Sequence, residues 1–537
     1  MRESAAAPTH LAPTAALLLG LGAVLFVVQL TTPPLWLNHD VALYLTAGQR
    51  LLEGDRPFVE VIDINPPMIV YVSAVPTAVA AATGLPIGPV ALVFFAALFG
   101  LAFWLLVAAL RAARAEGTAA VLIGAAWLHL LTMSYHDPAY GFGQRDALVG
   151  AFLLPLVVLR FARHAGGALP KGLAVSAGLA GLMAIGMKPQ YGVVLLAAEG
   201  VAALQHRRLP RFGDAEVVAF VGAGLAYALH FFVVPGMSAF YTRWVPFIAS
   251  GYDAYDWPPL VTEGLRAPSM LSLGLPPAVL GLAGAGLGVA SLRAKDSTLR
   301  LAGVLGVAAA VSLLLFVAQG KGWSYHLLPF HLSTLTALPL AAAYAMRALR
   351  RRAGGAVAPA IVSQGTLAMV VVLLVAFAEQ PLLLTRTLLA LPLRYHAQAD
   401  ALETQTPPGT RVLALSTDVG AMYPALTLSG RRSAGRFPFV YPLAFFYHDA
   451  SGYDDLGRWI DDEAWFYDAL LEDVRQHTPA LILVDTTAGP QGTPPFFSVR
   501  GYLQRRGFYH ALAADYVRAP PLGPFEVLRR RSALAAP

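Results

Sequence analysis

The residues best placed to do chemistry lie just beyond the first long apolar run. They are Asn38-His39-Asp40, Tyr44 and Asp63-Ile64-Asn65-Pro66-Pro67. A carboxylate at a bilayer surface suits a general base acting on a hydroxyl. Asp40 also fits the N-cap of a helix beginning there, and Asp63 fits turn chemistry before the double proline. Three later stretches carry cations. Tyr135–Asp146 holds Asp137 and Arg145, Lys188-Pro189 interrupts an apolar run, and Lys321-Gly322-Trp323-Ser324-Tyr325-His326 follows another. The forked guanidinium of Arg145 suits a phosphate, and Lys321 with His326 suits a lipid phosphate or pyrophosphate. An ionisable group between spans, as at Lys188, is a functional candidate by default. Snorkelling explains Arg145 and Lys188 equally, an aromatic belt explains Trp323 and Tyr325, and a turn explains Asp137 before Pro138.

These stretches must be positioned by a membrane scaffold. The chain has 537 residues, 57% hydrophobic and 13% charged, with a mean hydropathy of +0.59. Soluble domains carry about 25% charge, so this is an integral membrane protein, and nothing in it points to nucleic acid. Cysteine is absent, which excludes disulfides, thiolate metal sites and a cysteine nucleophile. No HExxH or GxSxG pattern occurs. His39, Asp40, His136 and Asp137 could converge on a divalent cation, so metal ligation stays open and no cofactor is assigned.

Apolar runs long enough to span a bilayer fall near 11–32, 89–110, 117–134, 146–163, 171–187, 190–205, 215–235, 270–292, 301–319, 327–346 and 357–378. The run from Pro66 to Ala82 is short and opens on Pro-Pro. Basic clusters at Arg111/Arg114, Arg160/Arg163/Lys171, Arg207/Arg208/Arg211, Arg293/Lys295/Arg300 and Arg347/Arg350–Arg352 all fall inside only if that run stays on the outer side. The expectation is an all-α polytopic domain of about eleven spans, N-terminus in and C-terminus out. The helix beginning at Asp40 is expected to lie along the interface. The segment 1–380 is then the transmembrane catalytic domain, with its first outer loop at 33–88.

After Glu379 the chain turns polar and mixed. Arg411–Ser416, Pro479–Asp485 and Phe525–Arg529 read as strands, and Asp418–Leu428, Gly457–Gln476 and Phe497–Arg506 as helices. The expectation is a small α/β domain over 381–537 on the outer face.

Asp40, Tyr44, the Leu51-Leu52-Glu53-Gly54 turn, Asp63-Ile64-Asn65-Pro66-Pro67, the Lys188-Pro189 corner and the Lys321–His326 stretch, in this order and on one face, resemble the GT-C membrane glycosyltransferases. That superfamily includes protein O-mannosyltransferases, aminoarabinose transferases and mycobacterial arabinosyltransferases. The resemblance covers roughly 11–350. It departs from many members at Val41, where they carry a second acidic residue, and suggests a divergent branch.

The resemblance implies transfer of a hexosyl or pentosyl group from a polyprenyl-phosphate donor to a glycan, lipid or protein acceptor. The reaction would take place on the periplasmic side of a bacterial inner membrane. Asp40, Asp63 and Asp137 would be the catalytic carboxylates, with Asp40 as base. Arg145, Lys188, Lys321, Tyr325 and His326 would hold the donor phosphate, and His39 and Tyr44 would contact substrate. The rivals are a transporter or flippase of lipid-linked sugars and an O-antigen ligase or polymerase. A transporter commonly shows paired repeats, which are not seen here. A ligase would carry a large Arg-rich late outer loop, whereas Pro235–Pro268 is modest and acidic.

Overall fold

The computed structural model describes residues 37–115, 123–124, 126–128, 142–209, 211–267, 275–352 and 390–534. The spans expected at 11–32 and 357–378, most of that at 117–134, and His136 and Asp137 lie outside the described residues. The helices of fourteen residues or more are α1 His39–Leu52, α2 Met68–Thr83, α3 Ile87–Ala112, α4 Arg145–His164, α5 Lys171–Met187, α6 Gly192–His206, α7 Ala215–Val233, α8 Pro277–Ser291, α9 Ser297–Gln319, α10 Leu328–Arg352, α11 Ala390–Gln405 and α12 Ile460–His477. Among the described residues, five helical stretches are long and apolar enough to cross a membrane: α3, α4, α7, α9 and Ser324–Leu349, which contains most of α10. Three more, α2, α5 and α8, are apolar but shorter. The chain divides into two compact units.

The helical unit takes 1–33, 95–226 and 258–388. Its centre is α4, whose most apolar stretch is 94% buried. Packed on α4 are α5, α6 and α10, and α9 packs on α6, α8 and α10. Small residues permit the closest approach: a Cβ on Gly284 of α8 would meet the Gly306 carbonyl oxygen of α9 at 2.6 Å. The outer surface keeps large apolar side chains exposed, among them Leu196, Leu225, Leu282 and Leu314. Such a surface is costly in water and suited to lipid. The helices break where the sequence says they must. α5 stops before Lys188-Pro189, because proline cannot supply the next backbone N–H. α9 stops at Gly320, whose φ of +71° closes the last turn.

The mixed unit takes 34–94, 227–257 and 389–537. Its sheet has five strands: β1 Arg411–Leu415, β2 Arg432–Ser433, β3 Leu481–Asp485, β4 Tyr516–Leu522 and β5 Phe525–Arg530, in the order β2-β1-β3-β5-β4. β1 pairs in parallel with β2 and β3, whereas β5 runs antiparallel to both β3 and β4. Every residue of β3 is buried, as its unbroken apolar run requires. The segment before residue 88 packs into this unit. Thr427 donates to the Ala42 carbonyl of α1 at 2.9 Å, the Ile62 N–H donates to the Arg436 carbonyl at 2.7 Å, and Trp244 donates to the Phe58 carbonyl at 2.9 Å. α1 lies tight on α2, where a Cβ on Gly48 would meet the Ala74 nitrogen at 2.8 Å.

Two expectations change here. Residues 41–48 of α1 are all buried, so this helix does not lie along an interface with one face open. Its polar residues Thr46 and Arg50 are taken up by Thr427, Asp55 and the Gly435 carbonyl. The helix expected over Asp418–Leu428 breaks into short turns at Val419–Ala421 and Ala425–Leu428 around Pro424.

Candidate active site

The carboxylates belong to the mixed unit. Asn38, not Asp40, caps α1: its side-chain oxygen accepts from the Asp40 N–H at 2.9 Å and the Val41 N–H at 3.4 Å. Asp40 therefore stands in the first turn, where the helix dipole favours an anion. His39 Nε2 lies 3.7 Å from Asp40 Oδ1, and both side chains keep partial access to solvent.

Asp63 is in a different setting. It is buried, and Asn65 donates to both its oxygens at 3.1 and 3.2 Å while also reaching the Tyr44 hydroxyl at 3.3 Å. The turn that Asn65-Pro66-Pro67 makes thus has a second consequence. It ties a carboxylate, an amide and a phenol into one line. Tyr441, from the C-terminal segment, lies within electrostatic reach of Asp63. Burial pushes its phenol well above the ordinary value, and the charge of Asp63 pushes it the same way. The Tyr441 hydroxyl has no hydrogen-bond partner among the described residues. Nothing in the local sequence around Tyr441 marks it, because the connection to Asp63 exists only in the fold.

The cations belong to the helical unit, at one end of its bundle. Gln144 caps α4 by accepting the Arg145 N–H at 2.8 Å, which sets Arg145 and Asp146 in the first turn. Lys188, at the end of α5, is 3% exposed; its Nζ meets Asp146 Oδ1 at 2.7 Å and Gln319 Oε1 at 3.3 Å. Lys321 is buried between Gly320 and Gly322, both with positive φ. His326 is buried within electrostatic reach of Lys188, Arg145 and Lys321. Its ring packs edge-on to Tyr325 at 4.6 Å and Trp323 at 5.4 Å, and Trp323 and Tyr325 stack on each other. His326 Nδ1 and Asp146 Oδ2 lack hydrogen-bond partners among the described residues.

Four groups expected to serve one role, Arg145, Lys188, Lys321 and His326, are thus gathered in one place, with Tyr325 against them. The partner that the sequence did not reveal is Asp146. It pairs with Lys188, within a cluster that brings three permanent cations and His326 to one end of the bundle. Asp137 lies outside the described residues. Among the described residues, no three His, Asp or Glu side chains are grouped to hold a metal ion.

Neither a protein-family model nor a curated relative matches the sequence. Solved structures do. The apo crystal structure of ArnT from Cupriavidus metallidurans matches with a TM-score of 0.52 at 16% identity, over 98% of this chain and all of that one. The cryo-EM structure of the arabinofuranosyltransferase AftD from Mycobacteria matches with a TM-score of 0.45 at 16% identity, over 96% of this chain and 40% of that one. The agreement with ArnT shows that the chain shares that protein's fold.

Proposed function

We propose, from this fold and from the sequence's resemblance to the GT-C glycosyltransferases, that the protein transfers a sugar from a polyprenyl-phosphate donor to an acceptor hydroxyl on the periplasmic face of a bacterial inner membrane. The single observation that carries the reading is the gathering of Arg145, Lys188, Lys321 and His326, all buried, at one end of an apolar helical bundle. A lipid-linked phosphate brings the anion that such a site favours, along with a tail suited to the membrane.

Asp40 takes the proton from the acceptor hydroxyl as its oxygen attacks the anomeric carbon. The bond to the donor phosphate oxygen breaks, and the released phosphate gains charge. Fixed cations in a partly dry site stabilise that charge as it develops. His326 and Tyr325 complete the phosphate cradle. Asp63 orients Asn65 and Tyr44, and His39 contacts substrate beside Asp40. Asp137 is the third carboxylate of the reading. The transmembrane domain is 1–380 with about eleven spans, N-terminus in, and 381–537 is a periplasmic domain that engages the acceptor. The transferred group is a hexosyl or pentosyl unit.

The test uses purified protein in liposomes, with polyprenyl-phosphate-linked sugars, and measures release of polyprenyl phosphate. Asp40→Asn should lower release by about 10²–10⁴-fold with an unchanged melting temperature. Undiminished release would remove Asp40 as the base. Consumption of nucleotide sugars with no release from lipid-linked ones would overturn the donor class. A reporter fused after Pro537 should be active only outside the cytoplasm, and cytoplasmic activity would overturn the orientation.

A further inference from the structure

The opposite end of the same bundle carries a second cationic feature, which the proposed reaction does not use. A cavity of about 510 Å³ opens there between the end of α6, the end of α8 and the start of α9. Arg207, Arg208, Arg293 and Lys295 line it, together with Leu204 and Leu292. The four cations are exposed, and none has a carboxylate partner among the described residues. Their neighbours at this end behave differently. Arg160 meets Glu199, Asp214 and Glu216, Arg163 meets Glu216, and Arg347 meets Asp296. Carboxylates are therefore available at this end and are drawn to other cations, while the cavity is left wholly basic.

The walls of the cavity are fixed. Gln205 donates to Ser291 Oγ at 2.7 Å and to the Arg300 carbonyl at 3.0 Å, which ties α6 to α8 and α9. Arg207 has a φ of +51° and closes α6 in the left-handed conformation, so the chain turns there within one residue. His206 Nε2 is buried without a hydrogen-bond partner among the described residues. The rim is apolar: Leu204 is 67% exposed and Leu292 38%, and Val289, one turn before Leu292, is 71% exposed.

We propose that this cavity is a binding site for the phosphate headgroup of an anionic phospholipid, with Leu204, Val289 and Leu292 against its acyl chains. Clustered cations at a membrane surface attract phosphate, and basic pockets between helix ends suit anionic headgroups. The apolar rim selects a lipid phosphate over a free one. The inference stands independently of the sugar-transfer reading.

The test uses the full chain in phosphatidylcholine nanodiscs. Bound lipid is counted by native mass spectrometry, and melting temperature is measured, as phosphatidylglycerol, further phosphatidylcholine or inorganic phosphate is added. Phosphatidylglycerol alone should bind and raise the melting temperature. Arg207→Gln and Arg293→Gln together should weaken that binding by about fivefold per cation removed. Arg111→Gln with Arg114→Gln, an equal loss of charge outside the cavity, should leave it unchanged. Equal loss in both double variants would reduce the effect to general surface charge and overturn the site. Equal stabilisation by inorganic phosphate would overturn the lipid assignment. If the cavity variant does not fold, a photoactivatable phosphatidylglycerol on the unmodified protein decides. Crosslinks confined to 204–208 and 289–295 support the site, and crosslinks spread over the helical surface overturn it.

Discussion

At one end of the helical unit Lys188 is 3% exposed and meets Asp146 at 2.7 Å; at the other, Arg293 and Lys295 stand exposed around an open cavity. Between these extremes sits Arg160, buried like Lys188 but shared among Glu199, Asp214 and Glu216. All three settings read alike in the sequence, as basic residues near the end of an apolar run. What separates them is how deeply the fold buries each one and which side chains it gathers around it. Arg160 is compensated in full, which makes it structural. Lys188 pairs with Asp146 inside a cluster that also holds Arg145, Lys321 and His326, the cluster proposed to receive the donor phosphate. The exposed cations need no partner to be stable, so they can hold one reversibly.

The most damaging change should be Lys188→Met. It leaves the wholly buried Asp146 without its cation, and breaking a buried pair from one side costs about 3–5 kcal/mol. Thermal unfolding in detergent should show the loss. Adding Asp146→Asn should recover most of the stability and none of the transfer activity. A Lys188→Met protein as stable as the parent would break the contrast between the two ends. Glu216→Gln should rank second, at about 1–3 kcal/mol. Arg160 keeps two other carboxylates when Glu216 is lost, but Arg163 keeps only a distant contact with Asp214 at 3.9 Å.

Much of the scaffold was legible. The run expected to span 171–187 is α5 to the residue, because Pro170 and Pro189 bound it. α4 differs by a single residue at each end from its apolar run. β1, β3 and β5 were visible as short apolar runs between turn signals. β4 was not, because Pro520-Pro521 reads as a break; as the edge strand of the sheet it tolerates residues that cannot donate to a ladder. The candidate groups were visible one by one, but their partners were not. Asp146 pairs with the lysine that caps another helix, and Tyr441 comes within electrostatic reach of Asp63 from the C-terminal segment. No local pattern encodes either pairing. The burial of α1 was missed for the same reason, since its polar residues are satisfied by segments near 427 and 435.

Within the cation cluster, Lys321→Ala should separate charge that binds from charge that folds. Lys321 sits in a turn between two glycines, not in a helix, so its removal interrupts no helix. The donor KM should rise by about tenfold, near the worth of one charge-assisted hydrogen bond, while the acceptor KM stays the same. Equal effects on both substrates would argue against phosphate binding at this position.

The smallest effect is expected at the opposite end. Arg293→Gln in a zwitterionic detergent should change stability by no more than about 0.5 kcal/mol, the usual range for a surface substitution. The same variant in anionic lipid should lose part of the stabilisation that the lipid confers on the parent, because binding to the folded state alone raises its stability by mass action. The pair of measurements bears on the comparison more than either one alone. A large loss in detergent would mean that Arg293 supports the fold as Lys188 does. A small loss in detergent that becomes larger in lipid would mean that this end of the bundle holds its charge for a ligand.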